Sequence, residues 1–377
     1  MSAPLQIIQT NIPPGIIDLG AGEPQLDLLP LDMLRDAAAH RLAMGDRDFL
    51  QYGLEQGDST FRATLAGFLS LRYGMQISYD DLFVTSGISS ALDLLCGLLT
   101  QPGDTIFVEE PSYFIGLRIF ADRGLKVVSI PTDEHGLDLD SLAQALKEHR
   151  PRFLYVIPVF QNPTGRTLSP QRRKSLVDMA HEYGFLILAD EVYQLLNYTQ
   201  APPPSFGLYL DSGNVIALGS FSKILAPGLR LGWLHTHPDI IQRIVSSGLL
   251  ESAGGLNPFS SAIVRSLIEN GDLDKNIAHL TDIFATRMRV MDDLLRKHVP
   301  QVNFTTPQGG YFFWLQAPGV DAGELRKKAQ EHKVDLRPGV LFSSRKGLTD
   351  YFRLSISYYG VDQIEEGILR LKGCFMG

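Results

Sequence analysis

Short apolar runs alternate with helical patterns through the middle of the chain. Several runs are apolar without strict alternation, which is typical of strands covered on both faces. The candidate strands are LFVTS (82–86), TIFVEE (105–110), KVVSIP (126–131), FLYVIP (153–158), FLILAD (185–190), NVIALGS (214–220) and LGWLHT (231–236). Strands that alternate with helices predict an α/β fold with a mostly parallel, doubly wound, seven-stranded sheet.

Two of the intervening helices have clear sequence signals. The stretch SSALDLLCGLL places Ala91, Leu94, Leu95 and Leu98 on one face at helical spacing. The stretch SPQRRKSLVDMAHEYG offers a serine N-cap, a proline at the first helical position and a closing glycine. Its signals predict a helix from residue 170 to residue 183.

The pattern changes after about residue 240. It predicts one long helix from Pro258 to His298, a strand within 309–316, a helix over 323–332, an alternating strand over 351–357 and a last helix over 363–371. These elements indicate a smaller α+β domain. The glycine-rich stretch 254–258 gives a loop signal for the domain boundary, which we expect between His237 and Pro258.

Composition narrows the class of protein. A chain of 377 residues with 44% hydrophobic and 20% charged residues is typical of a two-domain globular protein. The net charge of −8 argues against nucleic acid and against an anionic membrane surface as partners. Cys96 and Cys374 have no metal-binding spacing and suit a reducing compartment. With no signal-peptide pattern and no membrane-spanning apolar run, the sequence predicts a cytoplasmic protein that needs no metal.

Polar residues and glycines follow the ends of four predicted strands. They are Gly87, Ile88, Ser89 and Ser90; Asn162, Pro163, Thr164 and Gly165; Asp190 with Glu191 and Tyr193; and Ser220, Ser222 and Lys223. Each group alone has an ordinary interpretation as a helix start, a turn, a cap or a solvated amine. Ligands of open α/β sheets bind at the carboxyl ends of the strands, so the joint placement indicates one site.

Together these residues suit the chemistry of pyridoxal phosphate. A lysine that forms a Schiff base with the cofactor aldehyde needs a fixed position and a lowered pKa, which we assign to Lys223. The cofactor also needs an acid at its ring nitrogen and donors at its phenolic oxygen. Asp190 supplies the acid, Asn162 and Tyr193 supply the donors, and Tyr113 is placed to stack on the ring. The predicted phosphate cup consists of Gly87, Ile88, Ser89, Ser220, Ser222 and Arg230.

The sequence resembles fold type I pyridoxal-phosphate aminotransferases of class I/II, in the branch of 2-aminoadipate and kynurenine aminotransferases and MocR-like regulators. The resemblance covers residues 18–370. It is carried by QYGLEQGDSTFRATLAGFL, VTSGISSALDLL, EEPSYF, QNPTGRTLS, ADEVYQLL, GSFSKILAPGLRLGW, PQGGYFFW, RPGVLF and FRLSIS.

The resemblance implies further roles. Arg353 is expected to grip the substrate α-carboxylate, with Asn162 and Gly22 also contacting substrate. Tyr52 is expected to reach the cofactor phosphate of a neighbouring subunit, which implies a homodimer. The implied division of the chain is an arm closing on the substrate (1–30), a large cofactor-binding domain (31–250) and a small domain (251–377).

The expected reaction moves the amino group of an α-amino acid to a 2-oxo acid through a Schiff base with Lys223. Two alternatives remain open at the level of sequence. One is a β- or γ-elimination or replacement enzyme on the same scaffold, which only product analysis separates from an aminotransferase. The other is a non-catalytic sensor of amino acid and cofactor, as in the MocR-like regulators. The acidic balance and the short stretch before residue 18 leave little for DNA binding.

Overall fold

The structure is a computed structural model that describes residues 12–199 and 201–375. In these ranges the strands are β1 (Ile17–Asp18), β2 (Leu82–Thr85), β3 (Thr105–Glu110), β4 (Lys126–Asp133), β5 (Gly136–Leu137), β6 (Phe153–Val156), β7 (Leu186–Asp190), β8 (Val215–Ser220), β9 (Gly232–Thr236), β10 (Phe312–Gln316), β11 (Val334–Asp335), β12 (Arg337–Pro338) and β13 (Tyr351–Ser355).

The helices alternate with these strands in the first part of the chain and dominate after residue 236. They are α1 (Leu31–Ala43), α2 (Ser59–Tyr73), α3 (Ile88–Leu99), α4 (Phe114–Asp122), α5 (Leu139–Glu148), α6 (Pro170–Tyr183), α7 (Pro238–Val245), α8 (Gly248–Ala253), α9 (Pro258–Glu269), α10 (Asp272–His298), α11 (Ala322–Glu331) and α12 (Val361–Gly373). None of these described helices is long and apolar enough to cross a membrane.

The central sheet has the strand order β2-β9-β8-β7-β6-β3-β4-β5. Strands β8, β7, β6, β3 and β4 pair in parallel, whereas β9 runs antiparallel to both of its neighbours. Successive residues such as Phe107 and Val108 enter separate hydrophobic clusters, one on each face of the sheet. The doubly wound, mostly parallel α/β sheet predicted from the sequence is therefore confirmed.

The sheet has one strand more than the seven predicted. Strand β4 continues to Asp133, the chain turns at Glu134 and His135, and β5 returns antiparallel to it. Two residues are too few to give a hydrophobic period, which explains why the sequence pattern does not reveal β5.

The predicted caps of α6 are present. Ser169 accepts a hydrogen bond from the Arg172 amide, Pro170 stands in the first turn, and Gly184 ends the helix with a left-handed backbone. The predicted single helix from Pro258 to His298 is wrong, because it is divided into α9 and α10. Gly271 has φ of 72°, a conformation that favours glycine and ends a helix.

The part of the chain after residue 254 builds a second, smaller sheet. Strand β13 pairs antiparallel with β10 on one side and with β12 on the other. The short strand β1 pairs in parallel with β11, which attaches the N-terminal segment to this part of the molecule. Arg353 of β13 and Arg337 of β12 are paired in register, and both line a cavity between the small sheet and the large sheet.

Candidate active site

A cavity of about 370 Å³ opens at the carboxyl ends of the parallel strands. Its volume falls in the range of small-molecule sites, about 300–1,000 Å³. The cavity is lined by twelve predicted site residues: Gly22, Ile88, Ser89, Tyr113, Asn162, Asp190, Tyr193, Ser220, Ser222, Lys223, Arg230 and Arg353. The predicted convergence of these side chains therefore occurs in the structure.

One end of the cavity offers donors for an anion. Gly87 is the N-cap of α3, has φ of 86° and leaves the first amides of the helix without a side-chain cap. A Cβ at Gly87 would lie 2.7 Å from Arg230 Nη2, so only glycine lets the guanidinium approach the helix so closely. Amides at a helix N-terminus beside a guanidinium form a phosphate-binding arrangement.

Other contacts fix the guanidinium at this end. Arg230 donates to the Ser86 carbonyl and to the Pro227 carbonyl, both at 3.1 Å. Its backbone is left-handed, with φ of 46°, and its carbonyl accepts a hydrogen bond from the Asn257 side chain. Because both its backbone and its side chain are held, Arg230 presents a fixed positive charge to the cavity.

Two serine hydroxyls complete this polar end. Ser220 Oγ donates to Ser222 Oγ over 3.0 Å and accepts from the Ser222 amide over 3.1 Å. Both side chains line the cavity at the end of β8. Hydroxyls that hydrogen-bond each other are able to turn toward a bound anion.

Asp190 lies at the bottom of the cavity and is 3% exposed. Its Oδ2 accepts a hydrogen bond from the Tyr155 hydroxyl over 2.8 Å, and its Oδ1 accepts from the Val192 amide over 3.3 Å. Burial raises the pKa of Asp190 to about 6, although these hydrogen bonds and the charge of Lys223 favour the ionised form. A protonated ring nitrogen in front of Asp190 would supply the missing countercharge.

Lys223 extends across the cavity from the loop after β8. Its Nζ donates to the Gly22 carbonyl over 2.8 Å and lies 5.3 Å from the centre of the Tyr311 ring. Burial lowers the pKa of Lys223 to about 8, with Glu23 opposing the shift and Arg353 adding to it. An amine with this pKa is partly neutral near pH 7 to 8 and is therefore able to act as a nucleophile or a base.

Arg353 enters from the small sheet and is 3% exposed. Its Nη1 donates to Asn162 Oδ1 over 2.8 Å, its Nη2 donates to the Gly20 carbonyl over 2.7 Å, and its Nε has no hydrogen-bond partner among the described residues. The guanidinium lies 4.0 Å from the centre of the Phe312 ring. Asp350, the acid three residues before Arg353 in the sequence, accepts a hydrogen bond from the Gln316 side chain over 2.8 Å.

Burial lowers the pKa of the Arg353 guanidinium, and the positive charge of its strand neighbour Arg337 adds to the shift. No carboxylate in the described ranges forms an ion pair with Arg353. A buried guanidinium without an anion is poised to bind one, and its planar fork suits a carboxylate.

Two tyrosines form aromatic walls. Tyr193 is buried against Tyr311 and Phe312, with ring centres 5.5 and 5.9 Å away. Tyr113 precedes α4 and is half-buried. Burial raises the pKa of both phenols, that of Tyr113 to about 12, so both hydroxyls remain protonated donors at neutral pH.

Gly87 is the N-cap beside the cavity but does not line it, and Tyr52 does not reach the cavity of its own chain. Its side chain is 77% exposed, and it lies in an extended stretch between Leu50 and Leu54, which are also exposed. Within one chain, therefore, Tyr52 takes no part in the site.

Three residues that the sequence analysis did not select belong to the site. Tyr155 holds Asp190, and Glu23 and Arg337 line the cavity. Tyr155 and Asp190 lie on the adjacent parallel strands β6 and β7, a pairing that a single sequence does not specify. Glu23 had a local signal, because it directly follows the predicted substrate residue Gly22.

The donor set fits pyridoxal phosphate. An amine lies between a buried carboxylate and an anion site, and a guanidinium without a counterion faces them from the small sheet. Lys223 would hold the aldehyde, Asp190 the ring nitrogen and the N-terminus of α3 the phosphate.

Comparisons with known proteins agree with this chemistry. Residues 14–371 match the family described as Aminotransferase class I and II. The chain is 34% identical to the aromatic-amino-acid aminotransferase 1 of Thermococcus litoralis, covering 97% of this chain and 89% of that protein. It is 32% identical to the 2-aminoadipate transaminase of Thermus thermophilus, covering 99% of this chain and 93% of that protein.

A solved structure gives the same result for the fold. The kynurenine aminotransferase of Pyrococcus horikoshii, in complex with PMP, superposes with a TM-score of 0.90 at 33% identity, covering 96% of this chain and 90% of that one. The fold, the cavity and the sequence matches lead to one conclusion: this chain belongs to the class I and II aminotransferases, enzymes of the type I fold that transfer amino groups with pyridoxal phosphate.

Proposed function

We propose that this protein moves the amino group of an α-amino acid to a 2-oxo acid, with Lys223 as the residue that carries the proton. The observation that carries the assignment is the meeting of Lys223, Asp190 and Arg353 in one cavity beside the anion site of α3. These groups supply a base, an acid partner and a carboxylate clamp. All three are needed to deprotonate an α-amino acid.

Pyridoxal phosphate, when bound, supplies an aldehyde that takes the amino group and a ring that accepts the electron pair left at the α-carbon. The roles of the protein follow from its charges. Lys223, whose burial lowers the amine pKa, is the base that would take the proton from the α-carbon and give it to the C4′ carbon of the cofactor. Asp190 would keep the ring nitrogen protonated, and Asn162 and Tyr193 would donate hydrogen bonds to the phenolic oxygen.

The substrate is oriented from the small sheet. The two terminal nitrogens of Arg353 donate to Asn162 and to the Gly20 carbonyl, and both donors are available to a carboxylate that replaces these acceptors. The Gly22 backbone packs closely beside this clamp, since a Cβ there would lie 3.3 Å from the Phe312 ring and 3.6 Å from Arg353 Nη2. Tyr113 would stack on the cofactor, and Gly87, Ile88, Ser89, Ser220, Ser222 and Arg230 would hold its phosphate.

A single-turnover experiment tests this function. The purified yellow protein is mixed with a panel of α-amino acids, and pyridoxamine phosphate formation and released ammonia are both measured. Transfer predicts pyridoxamine phosphate without ammonia, and added 2-oxo acid should regenerate the starting absorbance. Ammonia release with an unchanged cofactor would instead identify an elimination enzyme.

We further propose a cytoplasmic homodimer in which Tyr52 contacts the cofactor phosphate of the partner subunit. Support comes from the exposure of Tyr52, Leu50, Leu54 and Phe259, which are large apolar side chains in neighbouring segments. Exposed apolar patches of this kind mark interaction surfaces. The buried, unpaired thiols of Cys96 and Cys374 suit a reducing compartment.

The division of labour along the chain follows the same scheme. We propose that residues 1–30 form an arm over the substrate, 31–250 the cofactor-binding domain and 251–377 the small domain; residues 1–11, 200, 376 and 377 of these ranges lie outside the described residues. The three-stranded sheet that holds Arg353 is built entirely from the last of these ranges. One helix bridges the division, because Arg41 of α1 hydrogen-bonds Ser266 of α9 over 3.0 Å.

A further inference from the structure

Glu23 places a carboxylate in the wall of the cavity. The segment around it is fixed, because the Gly22 carbonyl accepts from Lys223, the Gly20 carbonyl accepts from Arg353, and the Glu23 carbonyl accepts from Ser357 Oγ over 2.8 Å. Its Oε1 is buried and accepts no hydrogen bond from any described residue. The backbone is therefore held while one oxygen of the side chain lacks a partner.

The charges around the cavity identify which group lacks a countercharge. Six charged side chains line it: Glu23, Asp190, Lys223, Arg230, Arg337 and Arg353. Under the proposed function, Arg230 binds phosphate, Asp190 binds the ring nitrogen and Arg353 binds the α-carboxylate. Lys223 has to be neutral to take up a proton, so it supplies no permanent countercharge.

Arg337 is already neutralised. Its two terminal nitrogens donate to the two carboxylate oxygens of Asp18 over 2.8 and 2.7 Å, and Asp335 lies 3.6 Å away. This arrangement leaves Glu23 as the one charged side chain of the described lining that neither the cofactor, nor the α-carboxylate, nor another protein group neutralises.

We propose that Glu23 determines the substrate class: it binds the positively charged side-chain amine or guanidinium of a basic α-amino acid. This inference rests on the proposed function, because it assigns Arg353 and Asp190 to the substrate and the cofactor. A cation beside Glu23 satisfies the free oxygen, whereas a substrate with a distal carboxylate brings a like charge into a poorly solvated space. Burial raises the pKa of Glu23, and the charges of Lys223 and Arg337 offset this shift only in part.

The experiment compares isosteric substrates in the amino-acid half-reaction. Ornithine and norleucine share the number of side-chain atoms but differ in an amine, and glutamine and glutamate differ in charge. For the wild-type protein we expect kcat/KM for ornithine to exceed that for norleucine by about 10- to 150-fold, the effect of one charge-assisted hydrogen bond. Glutamate should be the poorest of the four.

The variant Glu23→Gln should lower the ratio of kcat/KM for ornithine to that for norleucine from its wild-type value to about one. Glu134→Gln, which removes a charge from the exposed turn between β4 and β5, is the matched control and should leave every ratio unchanged. A second measurement avoids turnover. The dissociation constants of α-methylornithine and α-methylnorleucine are followed by the absorbance of the bound cofactor. Wild type should bind α-methylornithine more tightly, and Glu23→Gln should lose this preference.

The outcomes distinguish a failure of the proposed amino-group transfer from a failure of the proposed specificity role of Glu23. If no amino acid converts the cofactor, the proposed function fails. If neutral or acidic substrates are converted at least as well as ornithine, or Glu23→Gln affects all substrates equally, the specificity role of Glu23 is wrong while amino-group transfer stands. Should the variant fail to fold, the wild-type ratio of ornithine to norleucine alone decides.

Discussion

At the scale of single residues, the cavity gathers charges that the folded chain alone does not compensate. Burial raises the pKa of Asp190 and lowers that of Lys223 and Arg353, so each group is shifted toward its neutral form. Such shifts lower the stability of the folded state at the pH where the group is charged. Under the proposed function, cofactor and substrate would supply the opposite charges and recover this free energy on binding.

Asp190→Asn should separate activity from stability. A neutral amide is unable to hold the pyridinium proton, so turnover should fall by several orders of magnitude. Burial raises the pKa of Asp190 from 3.8 to about 6. The folded state therefore holds this proton more tightly than the unfolded state, and the associated stability is lost as pH rises through 6. This loss amounts to about 3 kcal/mol, which the variant avoids.

Thermal unfolding of the cofactor-free proteins tests this expectation. At pH 8 Asp190→Asn should be at least as stable as wild type, and its advantage should shrink at pH 5. Asp122→Asn, an exposed position at the end of α4, is the control. A variant that is clearly less stable than wild type at pH 8 would show that the ionised carboxylate is compensated within the protein.

Arg353→Lys should raise KM for the amino acid and for the oxo acid alike while the yellow cofactor stays bound. The guanidinium makes two parallel bonds to a carboxylate, whereas ammonium is a point charge. Losing one charge-assisted hydrogen bond costs about 1.5–3 kcal/mol, or about 10- to 150-fold in affinity.

Steady-state kinetics in both directions measure this effect, with amines that lack an α-carboxylate as control substrates. These amines should be nearly unaffected. An unchanged KM combined with a lower melting temperature would mean that Arg353 stabilises the small sheet and does not grip substrate.

At the scale of elements, local signals in the sequence predicted the strands and the helix caps. Contacts between residues far apart in the chain could not be predicted from it. The capping residues of α6 and the polar ends of the strands act within a few positions, so a single sequence reveals them. The pairing of Arg337 with Asp18 joins residues 319 positions apart. No period in the sequence encodes it, and for the same reason the hydrogen bond from Tyr155 to Asp190 was not predicted.

The segment around Gly20 depends on this distant pairing. A Cβ at Gly20 would lie 2.7 Å from Arg337 Nη1 and 3.0 Å from the Leu336 backbone. Gly20→Ala should therefore displace the arginine or the segment, at a cost of about 1–3 kcal/mol from overpacking. We expect a lower melting temperature and a lower kcat/KM, because the Gly20 and Gly22 carbonyls contact Arg353 and Lys223.

Gly67→Ala is the matched control. Gly67 lies inside α2 with no atom within 4 Å of an added Cβ. The change should stabilise the protein by about 0.5–1 kcal/mol through helix propensity and leave kcat/KM unchanged. If Gly20→Ala behaves like this control, close packing of the segment on Arg337 is not needed for the site.

At the scale of the whole molecule, the site lies where distant parts of the chain converge. The large sheet supplies Asp190 and Lys223, and the small sheet supplies Arg353. Further contacts join the two sheets, since the Glu110 carboxylate accepts from the Ser344 amide over 3.2 Å and Arg345 Nε donates to Ser129 Oγ over 2.7 Å. Under the proposed function, a change in the position of the small sheet would alter the substrate clamp of Arg353 and leave the cofactor contacts of the large sheet in place.

The homodimer is tested by mixing two defective variants. If Tyr52 acts on the partner subunit, a chain with Lys223→Ala and a chain with Tyr52→Ala form a hybrid dimer in which one site contains both native residues and the other contains neither. Random reassociation of equal amounts should therefore recover activity at about a quarter of the sites, well above the sum of the separate variants. Mixing Lys223→Ala with Asp190→Asn is the control. In this control no site contains both native residues, because Lys223 and Asp190 act within one chain, so the mixture should recover nothing. Full activity of Tyr52→Ala alone, or a mixture no more active than its parts, would contradict a Tyr52 that acts across the subunit interface.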